Sequence, residues 1–295
     1  MAHALRPRSQ RTLRRPVSVA GVGYWSGQPV TLEMHPAPAE VGVVFVRTDC
    51  QPPVRIPLAL ARRVDSPART NLGVGSVRVE MVEHVASSLA GLGIDCCEIR
   101  LDAAELPGLD GSAAAYVAAL DDGGSEDLGS PSRPLVVRHA VRVEEGDAWV
   151  EATPPVHDGL TVDHTLEHAH PAIGTQRIAV DVTPENYRRE LAAARTFVTA
   201  EEADRLIAAG LGRHVTRAEI LVFGDAGLEE NTLRWPDECA RHKALDLVGD
   251  LQLAGRPVHA VVRACRSGHR LNARFVRALL AQDRQGWSAS PQHIR

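Results

Sequence analysis

Aromatic side chains are scarce in this sequence, 4% of 295 residues, which leaves little of the stacking surface that single-stranded nucleic acid needs. An excess of positive charge is also missing: the net charge is −4, so nothing draws the chain to a phosphate backbone and no nucleic-acid partner is expected. No run approaches the roughly 18 apolar residues that span a bilayer, and no stable membrane insertion is expected. The five cysteines, Cys50, Cys96, Cys97, Cys239 and Cys265, are odd in number and lack the C-x-x-C spacing of a zinc site or redox pair. They read as reduced thiols of a cytoplasmic protein. Residues 1–16 carry Arg6, Arg8, Arg11, Arg14 and Arg15, but no apolar stretch follows, so neither a secretory signal nor a twin-arginine leader is expected.

What is present is an ordinary globular composition, 24% charged and 44% apolar, in a length that suits two domains of similar size. Alternation predicts strands over 16–20, 28–34 and 42–47. A helix begins near Val82 and is ended by Gly91 and Gly93 before a strand at 96–101. A short helix follows over 113–120, with Asp110 or Ser112 as its cap. The acidic, Gly/Ser/Pro-rich stretch after it has linker composition. The division is therefore a first domain at 1–126, a linker at 127–132, a second domain at 133–282 and a loose tail at 283–295. In the second half, strands are predicted at 135–144, 148–153 and 160–166. Thr183-Pro184-Glu185 opens a helix to about 194, and Thr199 with Glu202 forms a capping box for a helix to about 209. A strand at 218–223, a helix at 237–250, a strand at 258–266 and a helix at 272–281 complete the chain.

The helix at 237–250 carries the chemistry. Intervals of four place His242, Asp246 and Asp250 on one face, polar where a core helix should be apolar. His and Asp one turn apart can grip zinc, which in catalytic sites takes three protein ligands; the same spacing also describes ordinary surface pairs. Glu83-His84 could supply a third ligand with a carboxylate beside it, and His269 in a loop after a strand could donate a proton. Each has a plainer reading, Glu83 as an acid favoured at a helix start and His269 as an exposed loop residue. His84 and His242 are each followed seven residues later by a glycine, which suggests an internal duplication. The Gly21-Val22-Gly23 stretch is a turn rather than a dinucleotide loop, because a strand follows where a helix is required. The run His164, Glu167, His168, His170 offers a rival cluster at metal spacing, read here as a solvated histidine run.

These residues sit in a recognisable frame. Gly21-Val22-Gly23 with Ser26-Gly27, Val82-Glu83-His84, Leu89 to Asp95, Leu109-Asp110-Gly111-Ser112-Ala113, His170 to Gly174, Ala194-Arg195-Thr196-Phe197, His242-Lys243 through Asp246 to Asp250, and Ser267-Gly268-His269 with Leu271-Asn272 occur in order. From about residue 10 to 280 the chain resembles the UDP-3-O-acyl-N-acetylglucosamine deacetylases, zinc enzymes of lipid A biosynthesis. The resemblance implies an α+β fold of two β-α-α-β domains with helices packed between two outer sheets, each like the second domain of a small-subunit ribosomal protein. It implies Zn²⁺ held by His84, His242 and Asp246, with Glu83 as general base. His269 would be the cationic acid, charged and oriented by Asp250. Thr196 would donate to the oxyanion, Phe197 would pack on the sugar, and Lys243 would meet substrate oxygens. UDP-3-O-acyl-N-acetylglucosamine would be the substrate of a cytoplasmic monomer.

Three departures stand out. The family usually has Leu-His where this chain has Tyr24-Trp25, threonine where it has Met81, and Gly-Gly-Ser where it has His214-Val215-Thr216. They leave the ligands and the base intact but alter how the nucleotide and acyl chain fit. Action on another N-acylated sugar, or a non-catalytic zinc-binding role, is the alternative, and Fe²⁺ can also occupy such a ligand set.

Overall fold

The computed structural model describes residues 8–212 and 214–288. Strand β1 (Ser9–Leu13) precedes β2 (Val17–Val22), β3 (Pro29–Pro36), β4 (Val43–Arg47) and β5 (Val54–Pro57). A small sheet of β6 (Arg63–Val64), β7 (Asn71–Val74) and β8 (Val77–Val79) follows, then α1 (Glu83–Gly91), β9 (Cys97–Leu101), α2 (Ala114–Gly123) and β10 (Ser125–Pro131). The second half holds β11 (Leu135–Val136), β12 (Val141–Glu145), β13 (Ala148–Thr153), β14 (Leu160–Glu167) and β15 (Thr175–Asp181). Next, α3 (Pro184–Asn186) runs into a π turn at Tyr187–Leu191. The chain ends with β16 (Phe197–Thr199), α4 (Ala200–Ala208), β17 (Leu221–Gly224), β18 (Gly227–Glu229), α5 (Glu238–Leu251), β19 (Val258–Cys265) and α6 (His269–Ser288).

The two large sheets have the same internal order. One runs β2-β3-β9-β4-β5; the other runs β12-β13-β19-β14-β15, with β11 beside β19. In each, the last strand inserts between the second and third, antiparallel to one and parallel to the other. Alternation fixes the faces. In β3 the side chains of Val30, Leu32 and Met34 are buried while Thr31 and Glu33 are exposed. In β14 the same period carries Leu160, Val162 and Leu166 inward and takes His164 with them.

Helix α1 packs along α5, α2 against β2, α5 against β14 and β15, and α6 against β12 and β13. One apolar core is continuous from Leu32 and Phe45 through Leu89 and Leu245 to Phe275. Two glycines permit the closest approaches. A Cβ on Gly249 would lie 2.2 Å from the Glu83 carbonyl oxygen, and one on Gly91 would lie 2.2 Å from the Tyr187 ring. Packing therefore accounts for the glycine seven residues after each histidine.

The structure departs from the sequence reading in several places. Most of 127–132, read as a linker, belongs to β10, which runs antiparallel to β1 with a register irregularity between Ser9 and Arg11. Its polar composition suits a strand paired on one side only and largely open to solvent. Helix α6 continues to Ser288, so the loose tail does not begin at 283; residues 289–295 and the basic residues 1–7 lie outside those described. Ala113, without a side-chain cap bond, precedes α2, while Asp110 accepts from the backbone and hydroxyl of Ser112 and pairs with Arg234 at 2.9 Å. Thr183 caps its helix and Thr199 closes the expected capping box with Glu202. The π turn, however, stops the first of these helices at Leu191.

Candidate metal centre and active site

The polar face of α5 meets the first turn of α1. There Nε2 of His84 lies 3.7 Å and Nε2 of His242 3.4 Å from Oδ1 of Asp246. One ligand atom from each of the three residues lies within 4.8 Å of the others, and all three residues are buried. Nδ1–H of His242 donates to the Ala194 carbonyl at 3.0 Å, which leaves its Nε2 with a free lone pair. Burial pushes His84 down to about 3 and lowers His242, so both rings are neutral. Burial alone would raise Asp246, but the cations beside it, Lys243 and His269, outweigh it and hold the carboxyl far below its ordinary range.

Asp246 Oδ2 accepts from Lys243 Nζ at 2.9 Å, whereas its buried Oδ1 has no hydrogen-bond partner among the described residues. A buried, ionised oxygen without a donor, facing two imidazole nitrogens, is the donor chemistry of a divalent cation site. His84, His242 and Asp246 therefore fit Zn²⁺, and two histidines with one carboxylate also fit Fe²⁺.

Beside this triad stand an acid and a base. Glu83, the first residue of α1, is buried and accepts from the Thr70 backbone N–H at 3.0 Å. Burial pushes its carboxyl up to about 7. Nε2 of His269 is 3.9 Å from Glu83 Oε1 and 3.9 Å from Asp246 Oδ2. On its far side, Nδ1 of His269 lies 2.8 Å from Asp250 Oδ2. Burial would lower His269, but the Asp250 charge and hydrogen bond raise it to about 9. Asp250 is fully buried, and the Thr70 hydroxyl and the Asn272 amide donate to it at 2.5 and 2.8 Å.

The site opens onto a cleft of about 1200 Å³ that Thr196, Phe197, Lys243 and His269 line. Lys243 Nζ stands 5.6 Å from the Phe197 ring centre. Arg195 underpins this edge: its guanidinium pairs with fully buried Glu238 at 2.8 Å and reaches Asn231 and the Thr232 carbonyl. That bracket fixes both neighbours, the Ala194 carbonyl on His242 and the Thr196 side chain.

All nine residues singled out for chemistry thus fall at one place, the α1–α5 junction and the cleft beside it. The rival histidines do not converge. His164 is buried in β14 rather than solvated, with Nε2 3.2 Å from the Ser267 hydroxyl, and burial pushes it down to about 4. His168 and His170 instead accept local backbone N–H groups through Nδ1. Met81, one of the departures, is buried with φ 62° two residues before α1 begins. Sequence reasoning missed Thr70 and the Ala194 carbonyl and gave Asn272 no role.

A buried two-histidine, one-carboxylate cluster with a carboxyl and an imidazole poised beside it defines the class of metal-dependent hydrolases. The comparisons narrow the class. The sequence model of the LpxC family, described as UDP-3-O-acyl N-acetylglycosamine deacetylase, matches residues 10–281. Proteins named UDP-3-O-acyl-N-acetylglucosamine deacetylase are close over the same span. That of Anaeromyxobacter sp. is 40% identical over 274 residues, 92% of this chain and 89% of the relative. That of Myxococcus xanthus is 40% identical over 280 residues, covering 94% and 88%, and that of Sodalis glossinidius 39% over 282, covering 94% and 92%. The chain belongs to the LpxC deacetylase family.

Proposed function

We propose that this chain hydrolyses the N-acetyl group of UDP-3-O-acyl-N-acetylglucosamine, releasing acetate and UDP-3-O-acyl-glucosamine for lipid A biosynthesis. The observation that carries the reading is the convergence of Glu83, His84, His242, Asp246 and His269 at the head of one cleft. His84, His242 and Asp246 would hold Zn²⁺. When bound, the ion supplies Lewis-acid charge, which can bring the pKa of a water from 15.7 to about 7.

The rest of the reaction belongs to the protein. Glu83 takes a proton from the attacking water as its oxygen bonds to the acetyl carbon. Thr196 donates to the oxyanion that develops on the former carbonyl oxygen. Cationic His269 favours that charge and then gives its proton to the glucosamine nitrogen as the C–N bond breaks. Asp250 keeps His269 charged, with Thr70 and Asn272 holding Asp250 in place. Phe197 faces the sugar and Lys243 meets substrate oxygens.

The reading includes two β-α-α-β domains, at 1–126 and 133–282, with the α1–α5 contact between their sheets; the repeated strand order supports it. It also includes a cytoplasmic monomer. Among the described residues no helix is long and apolar enough to cross a membrane.

The test compares acetate release by the wild type and Glu83→Ala, each assayed for bound zinc. Loss of about 10²- to 10⁴-fold with zinc retained is expected for removal of a general base. A zinc-loaded, folded wild type that releases no acetate from this substrate would overturn the reading.

A further inference from the structure

We propose that His164 is a positioning residue: bonded to Ser267, it holds the turn that presents His269 to the metal centre. The inference rests on the proposed reaction, in which His269 is the acid. The turn runs from the end of β19 at Cys265 through Arg266, Ser267 and Gly268 to His269, the first residue of α6. Arg266 stands at φ 53°, a left-handed conformation that residues other than glycine seldom adopt. Such a backbone persists only where its surroundings dictate it. Gly268 has open space where a Cβ would stand, so packing at that position does not fix the residue that follows.

Strand β14 supplies the restraint. The Thr165 carbonyl accepts from the Arg266 backbone N–H at 3.1 Å, and the Glu167 carboxylate pairs with the Arg266 guanidinium at 2.9 Å. These two links hold Arg266. The bond of 3.2 Å between His164 Nε2 and the Ser267 hydroxyl reaches one residue further, toward His269. His164 is fully buried and Ser267 is buried beside it, so water does not compete for that bond. Burial and the charge of Lys243 keep the ring neutral. Its Nδ1 has no hydrogen-bond partner among the described residues. An unpaired acceptor is tolerated better than an unpaired N–H, so the ring carries its proton on Nε2 and donates it to the Ser267 oxygen. The other inward positions of this strand are Leu160, Val162 and Leu166. An imidazole with one idle nitrogen costs more there than a further leucine would, and the bond to Ser267 is what it offers in return. From the opposite side, Asp250 on α5 holds the His269 ring at 2.8 Å. The acid is thus fixed through its ring by α5 and through its backbone by β14.

The experiment compares zinc-loaded wild type, His164→Phe, Ser267→Ala, the double variant and His164→Gln in two readouts. One is acetate release; the other is the His269 imidazole signals in ¹H–¹⁵N spectra, assigned by their loss in His269→Gln. Phenylalanine fills the space of the ring without its donor, whereas glutamine brings an amide N–H close to the place of Nε2. Each single variant should lower kcat about 10- to 100-fold with KM unchanged within about twofold, as expected when a reacting group is misplaced. Each should also broaden or split the His269 signals. The double variant should lose no more than the worse single one, because both remove the same bond. His164→Gln should recover most of kcat and a single set of signals. Wild-type kcat and wild-type signals in both single variants overturn the inference, and so do losses that multiply in the double variant, which would make the two residues independent supports. If His164→Phe does not fold, Ser267→Ala breaks the same bond from its other end and decides. A wild type that releases no acetate defeats the proposed reaction alone, because the His269 signals still report whether the bond holds the turn.

Discussion

Replacing Asp250 by asparagine keeps the shape of the side chain and removes the charge that holds His269 protonated. In the intact site His269 stands at about 9 because Asp250 outweighs the effect of burial. Without that charge, burial pulls the imidazole down against the remaining charges of Glu83 and Asp246, and a full return to the ordinary value of about 6.5 sets the size of the effect. The change of about 2.5 pH units corresponds to about 3 kcal/mol. At pH 8 the cationic fraction drops from roughly nine-tenths to a few hundredths, so the rate there should fall about thirtyfold.

Acetate release measured across pH at matched zinc content checks this. The wild type should show a bell: the acid limb follows Glu83, pushed up to about 7, and the alkaline limb follows His269 near 9. A divalent cation in the triad lowers both limbs. In Asp250→Asn the alkaline limb should move down much further than the acid limb, because Asp250 is a leading cause of the raised His269 value and only a lesser one for Glu83. Stability follows the same sign. The raised His269 value stabilises the fold fully below 6.5 and is lost as pH rises through about 9, a dependence the variant should lack. An alkaline limb that stays put, or an activity loss equal at every pH, would refute the assignment and leave Asp250 as a bracket for Thr70 and Asn272.

Gly249→Ala would force a methyl against the Glu83 carbonyl, where the Cβ would lie 2.2 Å away. A destabilisation of about 1–3 kcal/mol in urea unfolding is expected, and a variant as stable as the wild type would show that α1 and α5 can separate freely. Arg195→Ala leaves Glu238 buried and unpaired and should cost about 3–5 kcal/mol. Because the Ala194 carbonyl that orients His242 shifts with it, zinc affinity should fall about 10- to 100-fold in competition titrations. Unchanged zinc affinity would mean that the bracket supports the fold alone.

The polar helix face was legible because a period of four is a local property: His242, Asp246 and Asp250 share a face in any helix. Their meeting with Glu83 and His84 is not local. Spacing alone left ordinary surface pairs as good a reading, and the resemblance supplied the link. Thr70 left no signal at all, since one threonine outside any motif gains its role only by reaching Asp250 across 180 positions. Composition misled at β10, because a strand paired on one side and open to solvent on the other tolerates the same Gly, Ser and Asp that make a linker. It misled at His164 too, where β-alternation buries an imidazole that a histidine-rich run made look solvated.

The repeated strand order does not make the two halves equal at the site. Each sheet is accompanied by one helix that contributes an imidazole, His84 from α1 and His242 from α5, followed by a glycine at the same interval. Beyond the imidazoles the copies differ. The residue before each histidine is Glu83 in one and Arg241 in the other; four residues on stand Ser88 and Asp246; eight on stand Leu92 and Asp250. The two halves therefore bring unequal sets of groups to one place: α1 brings Glu83 and His84, α5 brings His242, Asp246 and Asp250, and neither helix alone carries the whole cluster.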